Sequence, residues 1–121
     1  MANVLVDTSV WVDHLRSGDN DLSKLLNNNQ VVTHPMIIGE LACGNLKARS
    51  SLLALWSSLN SLNSASHDEV LYFIEHHRLM GKGIGYIDAH LLASVRLAAN
   101  TRLWSRDKRL AQVAAGLSLS I

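Results

Sequence analysis

Asn3-Val4-Leu5-Val6 is an apolar run too brief for a helix, and Asp7-Thr8-Ser9 ends it abruptly. A short run without polar alternation reads as a strand buried on both faces, the kind found in parallel sheets. The next stretch has helical period. Ser9 suits the cap of a short helix carrying Val10, Trp11 and Leu15 and closing near Ser17-Gly18. Asp19 to Leu26 places Leu22, Leu25 and Leu26 at i, i+3 and i+4 and predicts a second helix. Asn27 to Asn29 is a turn, and Gln30 to Thr33 a second strand around Val31 and Val32. Pro35 fits the first turn of a third helix, which fades at Gly44. A longer helix is expected from about Leu46 to Leu59, with Leu52, Leu53, Trp56 and Leu59 on one face. Ser57 to Ser66 is a polar connector with room for a short strand at Leu62. His67-Asp68-Glu69 opens a helix through Leu79, its acids matched to the positive helix end. After Gly81, Gly83 and Gly85, Tyr86 to Ala99 is strongly helical. Arg102 to Trp104 reads as a strand, Ser105 to Ala115 as a final helix ended by Gly116, and Leu117 to Ile121 as an edge strand. Short strands alternating with helices predict one α/β unit, a parallel sheet covered on both faces.

Composition narrows the class. A chain of 121 residues suits one domain, and 48% apolar with 17% charged content argues against disorder. No apolar run reaches the length of a membrane span, and Met1 to Val6 lacks the features of a signal peptide. Cys43 stands alone, so no internal disulfide forms, which fits a reducing, cytoplasmic setting. The net charge of +1, eleven Lys and Arg against ten Asp and Glu, names no partner by itself.

The acids divide into two groups. Asp13, Asp19, Asp21, Asp68, Glu69 and Glu75 suit solvated helix faces. Asp7 directly succeeds the first strand, where open parallel sheets bind ligands, though it also suits a turn or cap. Glu40 lies in the run Met36-Ile37-Ile38-Gly39-Glu40-Leu41-Ala42-Cys43 with no basic residue at helical spacing. It is either turned inward toward a distant partner or half-exposed on an amphipathic helix. Asp88 sits in the first turn of the Tyr86 helix, on the side of Leu91 and Leu92. Asp107 comes after the Leu103-Trp104 strand at another helix start. As a set, the four converge on one sheet edge. Clustered carboxylates raise one another's pKa, and a hard divalent cation, Mg²⁺ or Mn²⁺, relieves the repulsion through oxygen ligands. Such a site can activate water for an in-line displacement at phosphorus.

The segments Val4-Leu5-Val6-Asp7-Thr8-Ser9-Val10-Trp11, Ile38-Gly39-Glu40-Leu41, Gly85-Tyr86-Ile87-Asp88-Ala89-His90-Leu91-Leu92-Ala93 and Leu103-Trp104-Ser105-Arg106-Asp107-Lys108-Arg109-Leu110 resemble, in order and spacing, the PIN-domain nucleases. Among these the chain is most similar to the small VapC-type toxins of bacterial toxin–antitoxin pairs. The resemblance runs from end to end, so residues 1–121 are expected to form a single PIN domain. It implies a three-layer α/β/α fold with a central, mainly parallel sheet of four to five short strands. It implies a metal-dependent endoribonuclease, usually dimeric or bound in a toxin–antitoxin hetero-oligomer, and silenced by an antitoxin whose tail covers the acidic groove. Asp7, Glu40, Asp88 and Asp107 match the acidic quartet, with Asp7 and Asp88 as main Mg²⁺ ligands and Glu40 and Asp107 completing the site. Thr8, Ser9 and Ser105 match supporting hydroxyls. Lys82, Arg106 and Lys108 are expected to meet RNA phosphate. The resemblance suggests transfer RNA as target; no residue in the chain names one.

Other patterns are weaker. No His or Cys spacing suits zinc, and His34 and His90, near the acidic segments, read as ordinary polar or capping residues. Gly81-Lys82-Gly83-Ile84-Gly85 lacks the ending of a phosphate-binding loop. Cys43 reads as a small buried thiol, and the three Trp as core residues. A Mg²⁺-binding signalling receiver would carry paired acids after the first strand and an Asp after a central one; Val31-Val32-Thr33-His34 offers none. A housekeeping nuclease of RNA maturation is the alternative that keeps the fold. With the four acids set aside, six acids face eleven bases, a balance of +5, which suits a polyanion.

Overall fold

The computed structural model describes residues 2–121. Along the chain run β1 (Asn3–Val6), α1 (Thr8–Ser17), α2 (Asn20–Asn27), β2 (Val31–Thr33), α3 (Pro35–Ala42), α4 (Arg49–Ser58), β3 (Asn60–Ser61), α5 (His67–His76), α6 (Tyr86–Leu97), β4 (Thr101–Trp104) and α7 (Lys108–Gly116). The four strands form one parallel sheet in the order β3-β2-β1-β4, and helices cover it in a three-layer α/β/α arrangement. Val4, Leu5 and Val6 are buried, as a strand covered on both faces requires.

The core forms around β1, with Val10 and Trp11 from α1, Leu22 from α2, Ile37 from α3, Trp56 from α4 and Leu91, Leu92 and Val95 from α6. Trp11 and Trp56 meet edge to face, their ring centroids 5.8 Å apart, a geometry the ring quadrupoles favour. Both are buried as expected, whereas Trp104 is half-exposed with the Arg106 guanidinium over its ring at 5.4 Å.

Several boundaries move for local reasons. The fourth helix starts at Arg49, because Ala48 takes a left-handed backbone (φ 52°) and Arg49 turns back to donate to the carbonyls of Ala42 and Gly44, closing α3. Ser66 and Glu69 form a reciprocal capping box that sets the start of α5, and the helix ends at His76, three residues before Leu79. The third strand is Asn60–Ser61, with Leu62 N–H adding a bond to the Thr33 carbonyl at 2.8 Å. The last helix begins at Lys108, since Asp107 caps it. The C-terminal segment joins the β4 edge through a single parallel bridge, Leu103 to Ser120. Cys43 is exposed, not buried as its apolar run suggests. It lies about 200° around the helix from Leu41, which with Ile37 marks the buried face of α3.

Two features of the sheet position the site. From β1 the chain builds outward to β2 and β3 on one side, while β4 adds on the other. The carboxyl ends of β1 and β4 therefore flank a topological switch point, the place where open α/β sheets bind ligands. The register pairs Val6 with Trp104, so the loops Asp7-Thr8-Ser9 and Ser105-Arg106-Asp107 leave the sheet side by side.

Candidate active site

Asp7 is the N-cap residue of α1, yet its side chain makes no capping bond. Its Oδ2 instead accepts from Ser9 Oγ at 2.9 Å and from Ser105 Oγ at 2.8 Å. It is only 7% exposed, so those two hydroxyls hold a nearly buried carboxylate that the helix does not use. Ser9 Oγ in turn accepts the Arg106 N–H at 3.0 Å, and Ser105 Oγ accepts the Asp107 N–H at 3.1 Å. The hydroxyls thus tie the β4–α7 loop to the first acid.

The other acids come from three further elements. Asp88, in the first turn of α6, is half-buried and accepts from Gly85 N–H at 3.4 Å. Glu40, on α3, is exposed rather than turned inward, and it accepts from Thr8 Oγ1 at 2.9 Å. Asp107 caps α7 through Oδ1, which takes the Arg109 and Leu110 N–H groups at 3.0 and 3.1 Å. Its role as a helix-capping acid is real, and among the described residues no protein group donates to Oδ2.

The charges of the other three acids reach Asp88. Burial pushes the Asp88 carboxyl above the ordinary aspartate range. The Gly85 N–H opposes that shift, and the charges of Asp7, Asp107 and Glu40 reinforce it. Among the described residues no three acidic or imidazole side chains close to ligating distance about one point. Asp7 is buried and Asp88 half-buried, whereas Glu40 and Asp107 are exposed. Their donor atoms are all oxygen, and the field they share is negative. That chemistry fits a hard divalent cation such as Mg²⁺ or Mn²⁺ and does not fit a thiophilic one.

The profile of the PIN domain family matches residues 4–116. The chain belongs to the PIN domain family. Within that family it is of the VapC type. It is 48% identical over 107 residues to Ribonuclease VapC32 of Mycobacterium tuberculosis, in strains CDC 1551 / Oshkosh and ATCC 25618 / H37Rv alike. That alignment covers 88% of this chain and 86% of the relative. A crystal structure of PAE2754 from Pyrobaculum aerophilum shares the fold at a TM-score of 0.67 and 18% identity, over 99% of this chain and 88% of that one. Among the described residues of this PIN domain, no helix is long and apolar enough to cross a membrane.

The cations around the PIN site differ in employment. Lys82 and Lys108 are exposed beside the segments that carry Asp88 and Asp107. Arg106 is occupied: its guanidinium pairs with Asp13 of α1 at 2.9 Å and with Asp19, the N-cap of α2. Asp13 and Asp19, expected on solvated faces, thereby join the loop of Ser105 and Asp107 to α1 and α2. No local pattern announces these pairs, because 93 and 87 residues separate the partners.

Proposed function

We propose that this VapC-type PIN domain is a Mg²⁺-dependent endoribonuclease toxin, with Mn²⁺ as substitute cation, held inactive by a cognate antitoxin. The observation that carries this reading is the shared field of Asp7, Glu40, Asp88 and Asp107 at the sheet switch point. The likeness to a protein named Ribonuclease VapC32 supports RNA as substrate. Transfer RNA is the first class to test, the cytoplasm the setting, and a homodimer or a toxin–antitoxin hetero-oligomer the working assembly. Residues 1–121 act as one PIN domain.

Asp7 and Asp88 are the main metal ligands in this reading, and Glu40 and Asp107 complete the site. These residues would hold a divalent cation, which when bound would supply water activation and charge neutralisation at the phosphodiester. The chain's own residues supply the arrangement. Ser9 and Ser105 fix Asp7 through one oxygen, Oδ2, and leave Oδ1 without a bond to either of them. Thr8 orients Glu40, and Asp107 keeps one oxygen for the site while the other caps α7. Lys82 and Lys108 hold the RNA backbone beside these acids.

Two outcomes test this directly. Chelation by EDTA is expected to abolish cleavage of total cellular RNA, and Mg²⁺ or Mn²⁺ to restore it; full activity in EDTA would exclude the metal. Arg106→Gln is expected to leave the salt dependence of RNA binding unchanged, because its guanidinium is spent on Asp13 and Asp19. A drop of about 0.7 in the slope of log affinity against log salt would instead place Arg106 on a phosphate.

A further inference from the structure

Beside the acidic groove lies a second concavity that the quartet does not use. The loop Gly81–Gly85 faces the start of α7 there, and Arg109 lies across it. A Cβ on Gly83 would meet Arg109 Cδ at 2.6 Å and Nη1 at 2.9 Å, and Gly83 has φ +80°. Glycine is thus needed both for the backbone and for the guanidinium passing over it. Lys82 and Arg109 border a cavity of about 350 Å³ whose apolar wall includes Leu79 and Val113 and whose polar edges are His77 and Gln112. Among the described residues, every ion pair belongs to Arg106, so neither Lys82 nor Arg109 is neutralised by a carboxylate partner.

The cavity is built into the walls of the active site. Arg109 N–H binds Asp107, and Gly85, two residues beyond Gly83, binds Asp88 through its own N–H. Lys82 thus stands three residues along the chain from Gly85, which binds Asp88, and Arg109 two residues from Asp107. The other surfaces suit a nucleobase rather than a bare anion. Leu79 and Val113 offer apolar contact. Burial, with the charges of His76 and Arg96, holds the His77 imidazole below the ordinary histidine range. At neutral pH it therefore presents one donor and one acceptor, and Gln112 presents both as well.

We propose that this cleft is a flanking-nucleotide subsite. Lys82 and Arg109 take the phosphate adjoining the scissile one, the base rests against Leu79 and Val113, and His77 and Gln112 read its edge. The proposal rests on the ribonuclease reading and adds a place where sequence preference arises, since phosphate contacts position RNA while unstacked bases specify it.

The test uses Asp7→Asn protein, which keeps the groove but is expected not to cut, and a fluorescent single-stranded RNA. Adding Lys82→Gln and Arg109→Gln together is expected to weaken binding about tenfold and to lower the salt slope by about 0.7. Gln112→Ala is expected to leave that slope alone and to reduce discrimination among RNAs differing at one base beside the cleavage site. Lys24→Gln, on the exposed face of α2, serves as a control with unchanged binding. Unaltered binding and slope in the Lys82/Arg109 variant, with native circular dichroism, would overturn the subsite alone. If the Asp7→Asn parent binds no RNA, the ribonuclease reading falls and the subsite with it.

Discussion

Replacing Asp7 by Asn is expected to lower RNA cleavage about 1,000-fold or more while leaving the fold intact, since changing a residue that merely supports a metal ligand typically costs about 10–100-fold and changing a ligand costs more. Asp7 is the one buried acid of the quartet, and Ser9 and Ser105 both donate to its Oδ2. Asn keeps the shape and an oxygen acceptor, so the two loops stay joined. It loses the negative charge that a divalent cation needs from its innermost ligand. Cleavage mapping with Mg²⁺, wild type beside variant, reads the result, and full activity in the variant would remove Asp7 from the site. Asp88→Asn makes a sharper comparison, because two effects move in opposite directions. Cleavage should fall as for Asp7. Stability in EDTA should rise, because Asp88 carries a raised pKa in the folded chain from burial and from Asp7, Asp107 and Glu40. A carboxyl with a raised folded pKa stabilises the fold at low pH and loses that contribution as pH rises through it, so at neutral pH its charge is a cost. Asn removes the charge. The half-exposed position keeps the gain small, a modest rise in Tm. A lower Tm would show that the acids do not repel as described.

The second large effect lies in the buried interior, at the end of β2. His34 ends β2 and caps α3: its Nδ1 accepts the Met36 N–H at 3.1 Å, and its Nε2 lies 3.0 Å from Ser94 Oγ. Ser94 Oγ donates to the His90 carbonyl at 2.8 Å and accepts the Ala65 N–H at 3.0 Å. With Nδ1 an acceptor, neutral His34 carries its proton on Nε2 and donates to Ser94, and every partner is satisfied. A second proton would set Nδ1–H against Met36 N–H, in a side chain with no exposed surface. Burial, and then the neighbouring His90, accordingly hold the His34 pKa down to about 4. A lowered histidine pKa contributes stability that is complete above the unfolded value near 6.5 and is lost as pH falls toward about 4. The loss should approach about 3 kcal/mol across that window, measured by denaturant unfolding at each pH. His34→Asn keeps a capping oxygen and removes the titration, so its stability should change much less between about pH 6.5 and 4. An equal fall in both proteins would locate the acid sensitivity elsewhere.

The same physics decides which elements are written locally in the chain and which are not. A strand buried on both faces is written as an apolar run, so Val4-Leu5-Val6 was legible; β4, with Arg102 exposed, was legible only from its Leu103-Trp104 pair, and the two together gave the sheet edge that gathers Asp7 and Asp107. β3 was legible only as room for a short strand at Leu62, because Asn60 and Ser61 are both exposed and the strand is only two residues long; its place is set by the β2 edge it joins. Glu40 was legible as an acid without local partners, but its orientation was not. It answers to Thr8, 32 residues away on another helix. Arg106 looked like an RNA contact because it stands in a basic run, and only the fold shows Asp13 and Asp19 waiting for it. The Lys82 and Arg109 cleft was invisible for a similar reason: its two sides lie far apart in the chain and meet only where Gly83 makes room.

The hydroxyl bridge from Ser9 and Asp7 to Ser105 has a consequence for how the protein is made. Its partners stand at opposite ends of the chain, 96 and 98 positions apart, and β4, which carries Ser105 into place, pairs directly with β1. A ribosome releases the N-terminal half first. A chain truncated before β4 holds Asp7, Glu40 and Asp88 but has nothing to bind Asp7 from the far side and no Asp107. The surroundings of Asp7 are therefore completed only once β4 has paired with β1, after both β2 and β3 have been released.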